Sequence, residues 1–115
     1  MAFLALALAA CGSASSRTSS TASLGPAVQQ GCTSVADVLA DGPDPGADPV
    51  GYAEAQVLPL RRLTISDATL RRAVLTLASA YETLSTSSTS TRAASAAAVT
   101  KAENEVNKIC PQAAQ

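Results

Sequence analysis

The chain has 115 residues, 8 basic and 9 acidic, for a net charge of −1. That balance produces no global field for nucleic acid or for an acidic surface, so neither is a leading partner. His and Trp are absent, which removes the commonest general base and metal ligand, and the length holds one domain once any signal and linker are set aside.

Residues 1–10 are an apolar run that closes with Leu8-Ala9-Ala10-Cys11. Ten residues fall short of the roughly 20 needed to cross a bilayer as a helix. Ala9 and Ala10 offer the small side chains and unencumbered backbone that a signal peptidase needs before its cut. The four residues resemble the lipobox of bacterial lipoproteins. The resemblance implies that residues 1–10 are a signal peptide, that Cys11 is the lipidated residue of the mature chain, and that the protein is held on the extracytoplasmic face of the cell membrane. Signal peptides begin with Lys or Arg, whereas the first basic residue here is Arg17, beyond Cys11; basic residues upstream of Met1 are therefore expected. The alternative is an apolar tail followed by an unrelated Cys.

The chain holds three cysteines, an odd number for an exported protein. If Cys11 is lipidated, as the resemblance implies, Cys32 and Cys110 remain as a pair for an oxidising compartment. Two separate buried thiols are the alternative. A metal pair is disfavoured because no His accompanies them.

Residues 12–31 are rich in Ser, Thr, Ala and Gly and carry almost no charge. So little apolar surface does not offset the entropy of ordering, so residues 11–31 read as a lipidated Cys and a flexible tether. A coil of this length reaches on the order of 25 Å. The folded part is then expected over residues 32–115. Ser34-Val35-Ala36-Asp37 fits a capping box opening a short first helix, with Cys32, Val35, Val38 and Leu39 on one face and Gly42-Pro43 as its stop. Asp41, Asp44 and Asp48 alternate with Pro and Gly; the calcium-loop pattern and its terminal Glu are missing, so turns are the preferred reading. Asp48-Pro49 suits an N-cap and first helical residue.

A second helix is predicted over residues 49–63 from Val50, Ala53, Val57 and Leu60, with a kink or break near Leu58 caused by Pro59. The strongest periodicity follows: Leu70, Ala73, Val74, Leu77, Ala78, Tyr81 and Leu84 form one helical stripe. Ser66 is its expected cap, with Ile65 and Leu70 as a hydrophobic staple; a box from Thr64 to Asp67 is the alternative. Residues 85–91 are all Ser and Thr and read as a loop. A last helix runs over residues 92–110, with Val99, Ala102, Val106 and Ile109 inward and Lys101–Glu105 and Glu105–Lys108 as surface pairs. The fold class is all-α, a small bundle of three to four helices with the last two antiparallel and the handedness open.

Catalytic chemistry is poorly supplied. No His is present to activate any Ser, both remaining thiols are assigned to a disulfide, and Glu54, Glu82, Glu103 and Glu105 form no recognisable carboxylate pair. The expected protein is not an enzyme and uses no metal or cofactor. Arg61, Arg62, Arg71 and Arg72 flank one turn and are a candidate patch for an anionic partner, against the plainer reading of a solvated face in which Asp67 pairs with Arg71. Ala and Ser at 93–98 suit close helix contact.

The overall layout is similar to small uncharacterised lipoproteins of high-GC Gram-positive bacteria, a likeness that implies no activity. Two functions are carried forward: a membrane-anchored, non-enzymatic helical module with an envelope protein partner or structural role, and a carrier of a small apolar ligand or lipid in a cavity between the third and fourth helices.

Overall fold

The computed structural model describes residues 24–111, 113 and 114; the Leu8-Ala9-Ala10-Cys11 motif expected to be a lipobox, and the rest of the segment through residue 23, lie outside the described residues. Four helices follow one another: α1 (Pro26–Ala40), α2 (Pro49–Arg62), α3 (Ala68–Ser85) and α4 (Arg92–Ile109). There is no strand among the described residues, and the all-α bundle expected from the sequence has four members.

The α1 helix begins at Pro26, eight residues before the expected capping box and inside the stretch read as tether. Proline at the first helical position is pre-set for the helix and gives up only an amide that has no intrahelical partner. The Ser34 hydroxyl is not a cap: it donates to the Gln30 carbonyl one turn back, 3.1 Å away. Gly31, which punctuates the sequence like the end of a linker, is buried within the helix. A Cβ there would come within 2.7 Å of Leu70 Cδ2 and 3.4 Å of Ile65 Cγ2. Gly31 is thus the place where α1 approaches the start of α3, and Ile65 and Leu70 meet it together. Gly42, at φ +106°, turns the chain out of α1 through a conformation that a Cβ disfavours.

Asp48 caps α2 as expected, its carboxylate accepting from the Gly51 amide at 2.9 Å. Pro59 does not break the helix, which continues to Arg62. Its ring lies on the exposed side, within the last turn, where little helix remains beyond the missing hydrogen bond. For α3 the cap is Asp67, whose carboxylate accepts from the Leu70 amide at 2.8 Å; the expected cap Ser66 stays outside the helix.

The expected stripe of α3 is the spine of the core. Leu70, Val74, Leu77, Ala78, Tyr81 and Leu84 are all buried, and α3 packs extensively along both α2 and α4 while meeting α1 lightly. Val99, Ala102 and Val106 of α4 complete that core, with Ile109 packed at its edge. Between 93 and 98 only Ser95 is buried, so the small side chains there do not form the close contact expected of them.

The helices alternate in direction. Gly31 of α1 lies at the start of α3, whereas the Leu39 carbonyl near the end of α1 accepts a 2.6 Å hydrogen bond from the Tyr52 hydroxyl at the start of α2. Tyr52 in turn packs edge-on against Tyr81, late in α3, with ring centroids 5.8 Å apart. One end of the bundle therefore holds the beginnings of α1 and α3 and the end of α4, and the other holds the 86–91 connection. Cys32 and Cys110 are joined at the first end, with a Cα–Cα separation of 5.4 Å across 78 positions of sequence.

Two outcomes are expected. Replacing the pair as Cys32→Ala/Cys110→Ala should lower unfolding stability by about 4 kcal/mol from loop-closure entropy, read as a lower denaturant midpoint. Gly31→Val should cost about 1–3 kcal/mol by overpacking, which the same titration measures. A neutral Gly31→Val would mean that α1 does not dock on Leu70.

Candidate functional site

Three places on the bundle hold residues with chemistry beyond packing. The first is the disulfide end. Cys110 is buried and Cys32 half-buried, and Cys32 Sγ lies 4.0 Å from the Ile109 carbonyl oxygen. Beside the bond is an open, mostly apolar groove of about 380 Å³ lined by Leu24, Cys32, Ala36, Cys110, Pro111 and Ala113. Next to it is a clamp that the sequence did not suggest. Asn107 Oδ1 accepts from the Ala114 amide at 2.8 Å, and the Asn107 side-chain amide donates to the Ala114 carbonyl. A side-chain amide paired with both backbone groups of one residue mimics a strand pairing and folds the segment after Pro111 back onto α4.

The second place is the arginine group, which the structure divides. Arg61 donates to Glu82 at 2.6 Å, an exposed ion pair between α2 and α3. This bond, ahead of simple charge attraction, holds the Glu82 carboxyl below its ordinary range and the Arg61 guanidinium above its own. Arg61 is thus engaged away from the other three. The expected Asp67–Arg71 pair is not formed: Asp67 caps α3, and Arg71 Nη1 donates to the Ile65 carbonyl at 2.8 Å. Arg72 is exposed and borders two adjoining grooves, one with Arg71 and Leu75, the other with Lys108 and Ile109. Lys108 contacts Glu105 at 2.8 Å, which lowers the Glu105 carboxyl; Lys101 adds only a weaker attraction there. The basic cluster of this end therefore comprises Arg71, Arg72 and Lys108 instead of the four arginines expected.

The third place is the tyrosine pair. Tyr81 is buried and its hydroxyl donates to Glu103 Oε1 at 3.0 Å, joining α3 to α4. A recess of about 170 Å³ opens between the two rings and α4, bordered by Pro49, Leu84, Ala96, Val99 and Glu103. It is smaller than the ~300 Å³ at which ligand pockets usually begin, whereas an open groove of about 380 Å³ runs between α3 and α4 along Thr76, Ala80, Thr83, Ala98 and Ala102. Burial is the main reason both phenols are pushed above their ordinary range, with the Glu103 carboxylate acting in the same direction. Nearby, the Gln56 amide donates to the Asp41 carbonyl at 2.6 Å, while its buried Oε1 has no partner among the described residues.

The acidic 41–48 connection is taken up by its own turn. Asp44 Oδ1 accepts from the Gly46 amide at 2.8 Å, and Asp48 is the α2 cap. Among the described residues no group of three or more His, Cys, Asp or Glu side chains is placed to hold a metal ion. No described helix is long and apolar enough to cross a membrane. No family model, curated protein or solved structure matches the chain.

The tyrosines give a pH prediction whose sign follows from the direction of their shifts. Both folded-state values lie above the unfolded value near 10, so the folded state binds these protons more tightly. Their contribution is complete below about pH 10 and is lost as pH rises above it. The two tyrosines should therefore ionise together with unfolding, measured as coincident tyrosinate absorbance and loss of helical circular dichroism. Tyr81→Phe should remove part of that alkaline sensitivity and, by deleting the bond to Glu103, cost about 1 kcal/mol at neutral pH. Tyrosinate appearing near pH 10 while the helices persist would contradict this placement.

Proposed function

We propose that the chain is a lipid-anchored, non-enzymatic module of the cell envelope, whose helical domain stands on the extracytoplasmic face of the membrane and engages an envelope protein or serves a structural role. The observation that carries this reading is the fate of the three cysteines. Cys32 and Cys110 are joined, which leaves the lipobox residue Cys11 as the third. A disulfide suits an oxidising compartment, and a lipobox thiol suits the same one. Leu58 and Leu75, 57% and 45% exposed on α2 and α3, are apolar contact points available to a partner. The absence of His and the commitment of two thiols to the disulfide argue against catalysis.

A carrier of a small apolar ligand is the competing reading, supported by the recess beside Tyr52 and Tyr81. The recess is small and the larger α3–α4 groove along Ala80, Ala98 and Ala102 lies open on the surface, which favours the protein-binding module. Ligand-dependent thermal stabilisation would reverse that preference, because a ligand selective for the folded state must raise its stability.

The anchor is tested by intact mass and cell fractionation of the wild type beside Cys11→Ala. The wild type should begin at Cys11, carry acyl chains and fractionate with membranes; two or more chains hold a protein stably where one does not. The Cys11→Ala chain should lack the acyl mass. An unmodified Cys11 in the wild type would remove the lipoprotein reading.

A further inference from the structure

We propose that the disulfide end of the bundle rests on anionic phospholipid headgroups, so that the tethered domain stands with its acidic end directed away from the membrane. The biological setting rests on the lipid-anchored reading above; the surface itself follows from the charges on the bundle.

The chain enters the described domain at the disulfide end, where Leu24 lies against Cys32, Cys110 and Pro111. Arg71, Arg72 and Lys108 are at that same end and share adjoining grooves through Arg72. Asp67, the α3 cap, and Glu105, paired with Lys108, keep their negative charge there, so these three bases against two acids leave that group with a net charge of +1. Arg72 has no ion-pair partner among the described residues. At the opposite end the balance is reversed. Asp37 near the end of α1, Asp41, Asp44 and Asp48 in the following connection, and Glu54 early in α2 are all exposed, and Arg92 is the base that accompanies them. The bundle thus carries positive charge where its chain enters and negative charge at the far end, although its net charge is almost nil.

The tether alone does not select this orientation. Twelve residues separate Cys11 from Leu24, and a chain of that length extends up to about 45 Å. An 18-residue helix such as α3 is only about 27 Å long, so either end of the bundle is within reach of the bilayer. Charge decides between them. An anionic leaflet attracts basic side chains and repels acidic ones within a Debye length of its surface. Tethering holds the domain at a high effective concentration, so an attraction too weak to recruit a free protein still orients a bound one.

The test uses the chain from residue 11 onward with its disulfide intact and the Cys11 thiol coupled to a maleimide phospholipid. It therefore reads out regardless of whether cells lipidate Cys11, and failure of that processing would leave this result unaffected. The sequence has no Trp, so single reporters are clean. Ala68→Trp and, as a second exposed reporter of the same end, Thr69→Trp mark the basic end; Thr89→Trp marks the other. Quenching by a headgroup nitroxide lipid is measured in phosphatidylglycerol and in phosphatidylcholine vesicles. The basic-end reporters should be quenched several-fold more strongly than Thr89→Trp in phosphatidylglycerol, and this difference should collapse in phosphatidylcholine, in high salt, and in Arg71→Gln/Arg72→Gln. Equal quenching of both ends in phosphatidylglycerol, or a difference that survives in phosphatidylcholine or in the double variant, would overturn the proposal.

Discussion

The Cys32–Cys110 bond is the constraint on which the arrangement of the four helices depends. The α2, α3 and α4 helices share the long apolar face of α3, but α1 meets the others lightly and buries only Gly31, Val35 and Leu39. A 15-residue helix in isolation is marginal in water, and so narrow a face adds little to it. What fixes α1 is attachment at two places. The disulfide holds its middle, at Cys32, against the end of α4, while Tyr52 and Gln56 of α2 hold the carbonyls of Leu39 and Asp41 where it finishes. The covalent bond keeps α1 close to the groups that make those weaker contacts. That is why a domain with two tyrosines and no other aromatic in its described part maintains a fourth helix.

The sequence was most legible where one periodic signal ruled. The stripe from Leu70 to Leu84 is dense enough in large apolar residues that burial could only follow the 3.6-residue repeat, and α3 and α4 emerged with boundaries close to those expected. Asp48-Pro49 was equally clear, because a capping carboxylate and a proline at the first position act locally and need no tertiary context. The start of α1 was not legible, and Gly31 is the reason. Glycine ends helices in isolation, so the residues before it joined the Ser/Thr-rich stretch; within the bundle its missing side chain admits Leu70 and Ile65. Pro59 misled in the opposite sense. Its local penalty is real, but it falls in the last turn of a helix whose inner face, Tyr52, Ala53, Gln56, Val57 and Leu60, is already buried.

The functional surface was legible only in part. Clustered arginines are visible in any sequence, but which of them stand together depends on where each helix ends relative to its neighbour. Arg61 faces Glu82, twenty-one positions away, and Lys108 joins Arg72 from another helix; neither relation has a local signature. The Tyr81–Glu103 bond and the Asn107 clamp on Ala114 are hidden for the same reason. Tyr81 read simply as a core residue, and an Asn late in a helix is commonplace. Their roles arise from long-range pairing, which composition and spacing do not encode.

The position of the disulfide also sets how the molecule carries mechanical load. The chain enters near Leu24 and leaves past Pro111 at the same end, and the sulfur bridge closes the 78-position interval between them. Tension applied between an anchored N-terminal segment and anything joined beyond Cys110 passes from Cys32 to Cys110 through a covalent bond. Most of α1, all of α2 and α3, and α4 lie off that path, so pulling would strain the short flanking segments and leave the core unloaded. Reduction of the bond would reroute the same force through the whole bundle, turning a protected domain into one that unravels under tension.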